Sequence, residues 1–307
     1  MTIRVLIDVV AGAARWQAPF RAALPEAQFH ECDGVDEVDY VIAWRPRAET
    51  FARTRVRKAI LNLGAGVEAL LEVPTLPVDV PVYRLVDAGM ARQMAEYAVA
   101  TVLRVHRGFD QYAEDQRAAR WQPREPRDKA SFGVGVLGLG VLGRAVIDAL
   151  RPFGFPLCGY TRTPCALPGV QVFAGDAALR DFLGRCSVCI CLLPATPATR
   201  DLFDRTRLSW LPRGAHLVNV ARGALVVDAD LVEALDAGHI AGATLDVFRD
   251  EPLPAGHPFW HHPKVAVTPH VSALTRVDES VAQVAAAIRA LESGREPPGR
   301  VDRARGY

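Results

Sequence analysis

The pattern of apolar and polar positions along the chain predicts two series of strands that alternate with helices. The strands predicted in the first series are 4–9, 40–44, 59–63 and 82–84. The strands predicted in the second series are 132–137, 157–160, 188–193, 215–219, 242–246 and 265–268. Alternation of this kind is typical of parallel sheets, so we expect an α/β protein made of two doubly wound domains.

Helical segments connect the two series and end the chain. Apolar residues at helical spacing predict one helical stretch from Ala91 to Arg120, and an amphipathic helix from Arg276 to Glu292 is expected to fold back on the first domain. We therefore predict a flavodoxin-like substrate domain formed by residues 1–98 and 272–307. Residues 99–271 are predicted to form a Rossmann domain that binds a dinucleotide cofactor.

A glycine-rich turn at the start of the second series is the strongest functional signal. The strand ending at Leu137 is followed by Gly138, Gly140 and Gly143, with the spacing G-x-G-x-x-G, and then by a helix predicted from Arg144 to Leu150. In this fingerprint the first glycine allows a tight turn, the second lets a pyrophosphate approach the backbone, and the third lets the helix pack on its strand. The alternative is a tight turn that holds no ligand.

The residues after the next strand favour NADPH over NADH. Sites for NAD usually place Asp or Glu there, whereas sites for NADP supply an arginine near the 2′-phosphate. Here the chain reads Tyr160-Thr161-Arg162-Thr163, and no carboxylate follows until Asp176. We expect NADPH as the preferred cofactor and NADH as the second choice, with Arg162 contacting the 2′-phosphate between the hydroxyls of Thr161 and Thr163. A solvated loop arginine is the alternative.

Length and charge narrow the classes of partner. A chain of 307 residues is long for a single core, which agrees with two domains. Its 36 basic and 35 acidic residues give no charge excess for nucleic acid or an anionic membrane, so small molecules are the expected partners. The chain shows no membrane-length apolar run, and the run at 3–10 is short and contains Asp8, so we expect a cytoplasmic protein.

The six cysteines include a C-x-x-C pair, Cys186 and Cys189, whose spacing also occurs in metal and redox sites. Cys189 and Cys191 alternate along a predicted strand, however, and therefore share one face. We expect these thiols to pack in the core, and we expect no metal site.

Three residues that follow strands of the second series could perform hydride-transfer chemistry. They are Arg222, Glu251 and His270. Ligands of a doubly wound sheet bind outside the carboxyl ends of its strands. A cation can hold a carboxylate, a histidine can exchange a proton near neutral pH, and an acid can orient that histidine. Taken singly, each could instead be an ion-pair partner, a helix cap or a loop residue.

Four motifs in order resemble the D-isomer-specific 2-hydroxyacid dehydrogenase family over nearly the whole chain. They are the segments 138–143, 218–226, 245–254 and 268–272. Further segments, 63–68, 90–97, 160–163 and 301–307, are similar to a subgroup of NADPH-dependent reductases. That resemblance implies reduction of glyoxylate to glycolate and of hydroxypyruvate to glycerate. It also implies a homodimer made through the cofactor domains.

The resemblance implies a role for each matching residue. Arg222 would bind the substrate carboxylate and polarise the keto oxygen, His270 would protonate that oxygen, and Glu251 would orient the imidazole and stabilise its charge. The residues implied to line the substrate site are Trp44, Arg45, Ala65 and Gly66. Those implied to contact the cofactor are Gly138, Leu139, Gly140, Val141, Leu142, Gly143, Thr161, Arg162, Thr163, Leu193, Pro194, Ala221 and Asp246.

Other functions are also compatible with the same sequence. A phosphoglycerate dehydrogenase shares the fold but commonly carries the acid for NAD, and formate or phosphite dehydrogenases would normally prefer NAD as well. A protein of another class, a corepressor-like module that senses nicotinamide nucleotides without turnover, would keep the same residues. Turnover assays distinguish these classes.

Overall fold

The computed structural model of the protein describes residues 2–9, 14–30 and 36–307. The chain forms two compact units, the first made of Met1–Met90 and Thr275–Tyr307 and the second of Ala91–Leu274. Cys32 lies outside the described residues, as do residues 10–13.

All ten strands that the apolar pattern predicts are present, together with two further edge strands. The strands are β1 Ile3–Val9, β2 Ala27–His30, β3 Glu37–Trp44, β4 Arg55–Asn62, β5 Val82–Arg84, β6 Val134–Leu137, β7 Leu157–Thr161, β8 Gln171–Ala174, β9 Val188–Cys191, β10 Ala215–Asn219, β11 Ile240–Leu245 and β12 Val265–Val267. The helices are α1 Ala14–Ala23, α2 Ala48–Arg53, α3 Glu68–Leu71, α4 Met90–His106, α5 Phe109–Arg117, α6 Val141–Leu150, α7 Leu179–Leu183, α8 Arg205–Leu208, α9 Asp228–Asp236 and α10 Val277–Glu292.

Within its described residues, the first unit holds a five-stranded parallel sheet in the order β2-β1-β3-β4-β5. This strand order is flavodoxin-like, which confirms the predicted fold of this domain. The carboxyl halves of β1, β3 and β4 are mostly apolar and buried, as is typical of parallel sheets with helices on both faces. Helix α10 lies in this unit beside α1, where Arg289 pairs with Glu26. Strand β3 ends at Trp44, and the carboxyl end of β4 leads into the loop that contains Gly64.

The second unit, described throughout, holds a seven-stranded parallel sheet in the order β12-β11-β10-β9-β6-β7-β8. The chain starts at the centre of the sheet with β6, builds outward through β7 and β8, and then returns to the other side of β6 with β9. The strand order therefore reverses between β6 and β9, at the point where dinucleotides bind in Rossmann folds. The predicted Rossmann architecture is confirmed.

Four of the five cysteines of the second unit are buried in its core, and Cys165 is half-buried. Cys189 and Cys191 belong to one apolar cluster, whereas Val188 and Ile190, which alternate with them in β9, belong to the cluster on the opposite face. Burial raises the pKa of the Cys191 thiol to about 12, so this thiol stays protonated at neutral pH. Among the described residues there is no cluster of three or more His, Cys, Asp or Glu side chains arranged to hold a metal ion.

The structure corrects the predicted elements in three places. The helical stretch from Ala91 to Arg120 is broken, because Gly108 adopts a left-handed backbone (φ 66°) between α4 and α5. Helix α6 begins at Val141, three residues before Arg144, with Gly140 as its N-cap. Strands β2 and β8 were not predicted, since both are short edge strands with half-exposed side chains. None of the described helices is both long and apolar enough to cross a membrane.

Candidate active site

The glycine-rich turn has the close packing that the fingerprint requires. Gly138 has a φ of 100°, and a Cβ atom there would lie 2.9 Å from the Leu192 carbonyl oxygen. A Cβ atom on Gly143 would lie 1.8 Å from the carbonyl oxygen of Gly138, so only glycine allows α6 to pack this closely. At Gly140, by contrast, a Cβ atom would meet nothing within 4 Å. The exposed backbone of Gly140 at the start of α6 is thus open to a phosphate.

The residues proposed to contact the adenosine lie along the neighbouring strand ends. Arg162 and Thr163 are exposed immediately after β7, and Thr161 is half-buried at its last position. Leu193 and Pro194 follow β9 and are half-buried, and the Thr199 hydroxyl donates to the Pro194 carbonyl at 2.6 Å. Contact between these residues and the adenosine stays a prediction. Their positions at the carboxyl ends of β7 and β9 agree with that prediction.

His270 and Glu251, which follow different strands, form a hydrogen-bonded pair. The distance from His270 Nδ1 to Glu251 Oε2 is 2.8 Å, and Glu251 Oε1 accepts a hydrogen bond from the Phe248 N–H at 3.0 Å. The Glu251 carboxylate therefore links the backbone of Phe248 to the imidazole of His270. His270 has a φ of 55°, an uncommon conformation for a residue with a side chain and one that concentrates at functional sites.

The pKa of Glu251 indicates that it is ionised opposite the imidazole. Burial acts to raise this pKa, but hydrogen bonds from His270 and from the Phe248 N–H, with the positive charges of His270 and Arg222, lower it below its usual value. Since the carboxylate only accepts, Nδ1 of His270 donates to it. The proton that His270 can exchange is then the one on Nε2. No residue in the described part of the chain forms a hydrogen bond with Nε2.

Arg222 lies in a turn whose shape depends on two residues that the sequence analysis did not single out. The buried Asn219 donates from Nδ2 to the Arg222 carbonyl at 2.9 Å, and its Oδ1 accepts from the Ala221 N–H at 3.2 Å. A Cβ atom on Gly223 would lie 1.9 Å from the carbonyl carbon of Phe248. The Arg222 turn is thus packed directly against the segment that leads to Glu251. An asparagine at the end of a strand, two residues before a turn, is the signal that could have revealed this support.

Asp246 holds the loop that carries His270. Its side chain is fully buried, with Oδ1 accepting from the Thr268 hydroxyl at 2.5 Å and from the Val271 N–H at 2.9 Å. Oδ2 accepts from the Ser272 N–H at 2.9 Å, and the Asp246 carbonyl accepts from the His270 N–H at 2.8 Å. These bonds fix the backbone on both sides of the histidine. The contact of Asp246 with the nicotinamide amide stays a prediction.

The predicted substrate residues of the first unit lie at the carboxyl ends of two adjacent strands. Trp44 ends β3 and is half-buried, and Arg45 is exposed with a φ of 47°. Ala65 and Gly66 are half-buried in the loop after β4. The paired strands bring these two loops to the same edge of the sheet. Their contact with substrate stays a prediction.

A Rossmann sheet with an open glycine-rich turn, and an ionised Glu–His pair beside an arginine at its carboxyl edge, define a nicotinamide-dependent dehydrogenase. The model of one such family, D-isomer specific 2-hydroxyacid dehydrogenase, NAD binding domain, matches residues 99–272. The chain belongs to this family.

Relatives with names and solved structures are similar over almost the whole chain. The chain is 43% identical over 302 residues to a glyoxylate/hydroxypyruvate reductase A of Yersinia enterocolitica, covering 96% of each protein. A family member from Xanthobacter autotrophicus, solved with NADPH and MES, is 40% identical with a TM-score of 0.95 and full coverage of both chains. An NADPH-dependent glyoxylate/hydroxypyruvate reductase of Sinorhizobium meliloti, solved with NADP and sulfate, is 32% identical with a TM-score of 0.94, covering 99% of this chain and all of that one.

Proposed function

We propose that this protein reduces small 2-keto acids with NADPH, converting glyoxylate to glycolate and hydroxypyruvate to D-glycerate. The observation that carries the proposal is the 2.8 Å pair of His270 and Glu251 beside Arg222, at the carboxyl edge of a dinucleotide-binding sheet. The names of the similar proteins, and the NADPH and NADP bound in two of the solved structures, support the choice of substrate and cofactor.

The residues of the second unit fit the cofactor. The open space at Gly140 and the N-terminus of α6 suit a pyrophosphate, with Leu139, Val141 and Leu142 beside it. Arg144 donates from Nε to the Leu139 carbonyl at 3.0 Å and so supports the turn. The adenosine would contact Thr161, Arg162, Thr163, Leu193 and Pro194, and the nicotinamide would contact Ala221 and Asp246. When bound, NADPH supplies the hydride for the reduction.

His270 supplies the proton that the reduction consumes. As the carbonyl carbon accepts the hydride with its electron pair, the carbonyl oxygen gains negative charge and takes the proton held on His270 Nε2. The Glu251 carboxylate stabilises the imidazolium before the transfer and keeps the ring oriented through Nδ1. The product is a 2-hydroxy acid, and His270 is left neutral until it takes up a proton from water.

Arg222 binds the substrate and stabilises the developing charge. Its guanidinium is planar and always charged, and it offers paired N–H donors to a carboxylate or to the keto oxygen. Its Nη1 donates to the Ala221 carbonyl at 2.6 Å, which restrains the side chain. A restrained arginine loses less freedom on binding, so its charge acts on the transition state without reorganisation.

Initial-rate kinetics test the proposal. The protein would be assayed with glyoxylate, hydroxypyruvate, pyruvate and phosphohydroxypyruvate, each with NADPH and with NADH. We expect the highest kcat/KM for glyoxylate or hydroxypyruvate with NADPH. Highest activity with phosphohydroxypyruvate and NADH would instead identify a phosphoglycerate dehydrogenase, and binding of NADPH without turnover of any of the four acids would contradict an enzymatic role.

We also propose that the protein is a homodimer assembled through the second unit. Three large apolar side chains on α5 and the segment after it are exposed, namely Phe109 (52%), Tyr112 (37%) and Trp121 (98%). A surface groove lies between Tyr112 and Trp121. Exposed aromatic residues grouped in this way are typical of protein interfaces.

Light scattering after size exclusion tests the dimer. Wild type should have twice the monomer mass, and Trp121→Glu should shift it towards the monomer. Trp260→Glu, at another exposed tryptophan of the same unit, is the matched control and should leave the mass unchanged. A monomeric wild type would contradict the proposal.

We further propose that the protein resides in the cytoplasm. The five described cysteines are all free thiols, as is usual in a reducing compartment, and the cofactor is a metabolite of the cell interior. Cell fractionation with an antibody to the protein would test this location.

A further inference from the structure

A loop of the first unit presents two backbone N–H groups that the rest of the chain does not use. Gly64, Ala65 and Gly66 follow β4, and Ala65 and Gly66 are half-buried. Across the described ranges, no residue accepts a hydrogen bond from the N–H of Ala65 or of Gly66. Adjacent N–H donors in a partly covered turn are a common binding site for anions.

The side chain of Asn62, the last residue of β4, fixes this loop from its inner side. Asn62 is 3% exposed, and its Nδ2 donates to the Gly64 carbonyl at 3.0 Å and to the Gly66 carbonyl at 2.8 Å. One amide group therefore uses both of its N–H donors to hold carbonyls on the two sides of Ala65. The loop is tied to the end of the strand and cannot turn over without breaking both bonds.

The hydrogen bond from Asn62 to the Gly64 carbonyl also sets the direction of the Ala65 N–H. The Gly64 carbonyl accepts a second hydrogen bond, from the Leu85 N–H at 3.1 Å, so its orientation is fixed from two sides. The C=O and N–H of a trans peptide unit point in opposite directions. The N–H of Ala65, which belongs to the same peptide unit as the Gly64 carbonyl, is therefore held pointing away from Asn62.

The ring of Trp44 covers the same loop. A Cβ atom on Gly64 would lie 2.1 Å from a ring carbon of Trp44, so the glycine is required for the indole to pack against the backbone. An indole over the loop excludes water from one side of it. Exclusion of water strengthens hydrogen bonds from N–H groups to a charged ligand.

We propose that Asn62 is the positioning residue of a carboxylate-binding loop, and that it presents the N–H groups of Ala65 and Gly66 to the carboxylate of the keto acid. This inference rests on the proposed function, because the keto acid is the anion in question. Asn62 acts through the loop backbone and contacts no substrate itself. Its removal should weaken binding of the acid and leave cofactor binding unchanged.

Kinetics of Asn62→Ala and of Asn62→Leu test this inference. Both variants lose the donors that hold two carbonyls, so KM for glyoxylate should rise by about 10-fold or more while kcat changes less. The dissociation constant of NADPH, measured by fluorescence, should be unchanged. Asn62→Leu roughly keeps the side-chain volume and places no charge against the Gly64 and Gly66 carbonyls, so it serves if the alanine variant does not fold.

Tyr40→Phe is the matched control, since it removes a side-chain hydrogen bond of another buried residue of the first unit, the 2.5 Å bond from Tyr40 to Glu292. It should lower thermal stability and leave KM for glyoxylate unchanged. Unchanged KM in both Asn62 variants, or an equal rise in Tyr40→Phe, would overturn the inference while the proposed function stands. A folded wild type that does not reduce glyoxylate would overturn the proposed function, and this inference with it.

Discussion

Replacement of Glu251 by glutamine tests how the carboxylate supports the proton donor. The amide keeps the shape of the side chain, and its oxygen can still accept from His270 Nδ1, so the orientation of the ring is preserved. The negative charge 2.8 Å from the imidazole is lost. Because that charge stabilises the imidazolium that supplies the proton, the variant should reduce keto acids more slowly than wild type.

The size of the loss in rate follows from the exposure of the pair. A hydrogen bond to a charged group contributes about 1.5–3 kcal/mol when shielded, and an exposed ion pair contributes about 0–1 kcal/mol. The His270 side chain is 45% exposed and that of Glu251 is 25% exposed, so solvent screens the pair in part. We therefore expect a loss of about 1.4 kcal/mol, which corresponds to about 10-fold in kcat/KM for reduction.

The assay is kcat/KM for glyoxylate reduction by wild type and by Glu251→Gln, with the NADPH dissociation constant measured on the same preparations. We expect kcat/KM to be about 10-fold lower in Glu251→Gln. NADPH binding should be unchanged, because the carboxylate acts through His270 and not on the cofactor. Asp236→Asn is the matched control, because Asp236 pairs with His262 at the other end of β12. A kcat/KM of Glu251→Gln equal to that of wild type, or an equal loss in Asp236→Asn, would refute the role given to Glu251.

Three further substitutions have defined outcomes. Arg162→Ala should raise KM for NADPH by about 10- to 100-fold, as expected for a lost charged hydrogen bond, with little effect on NADH; an equal loss with both cofactors would contradict contact with the 2′-phosphate. Arg222→Lys keeps the charge but loses the fork of donors, so kcat should fall and KM for the keto acid should rise together, and unchanged kinetics would remove Arg222 from the site. Burial lowers the pKa of His216 to about 3 in the folded protein, from 6.5, so thermal stability should decline as the pH falls below 6.5. His216→Gln should be less stable than wild type at neutral pH, because it disturbs the 2.9 Å bond to Thr244. It should nevertheless lose less thermal stability than wild type on acidification, and an equal loss in the two proteins would show that His216 is not the group responsible.

The strands that position the site could be predicted from the sequence because their apolar runs are buried on both faces. β6, β9 and β10 are examples, with every residue buried. Edge strands lack this signal: Gln171–Ala174 is half-exposed and resembles a loop. The break at Gly108 was missed since the periodic apolar residues continue on both sides of it, and only the left-handed backbone of that glycine ends α4.

The candidate site could be predicted from the sequence as far as it depends on strand ends. The proximity of His270, Glu251 and Arg222 was predictable because the carboxyl ends of parallel strands meet at one edge of the sheet, and their roles in a reaction stay a prediction. Asn62 and Asn219 were missed because their role lies in hydrogen bonds to carbonyls a few residues further along, and such bonds depend on loop geometry that no apolar pattern encodes. The supporting role of Asp246 was missed for the same reason, since its hydrogen-bond partners lie more than twenty residues further along the chain.

The most direct test of the account compares glyoxylate reduction by wild type and by His270→Asn, with NADPH binding measured on the same preparations. Wild type should oxidise NADPH only when the keto acid is present. His270→Asn should bind NADPH with unchanged affinity and lose about 10²- to 10⁴-fold in kcat, the usual contribution of a positioned acid. A near-normal rate in His270→Asn would contradict the central claim that the proton comes from His270.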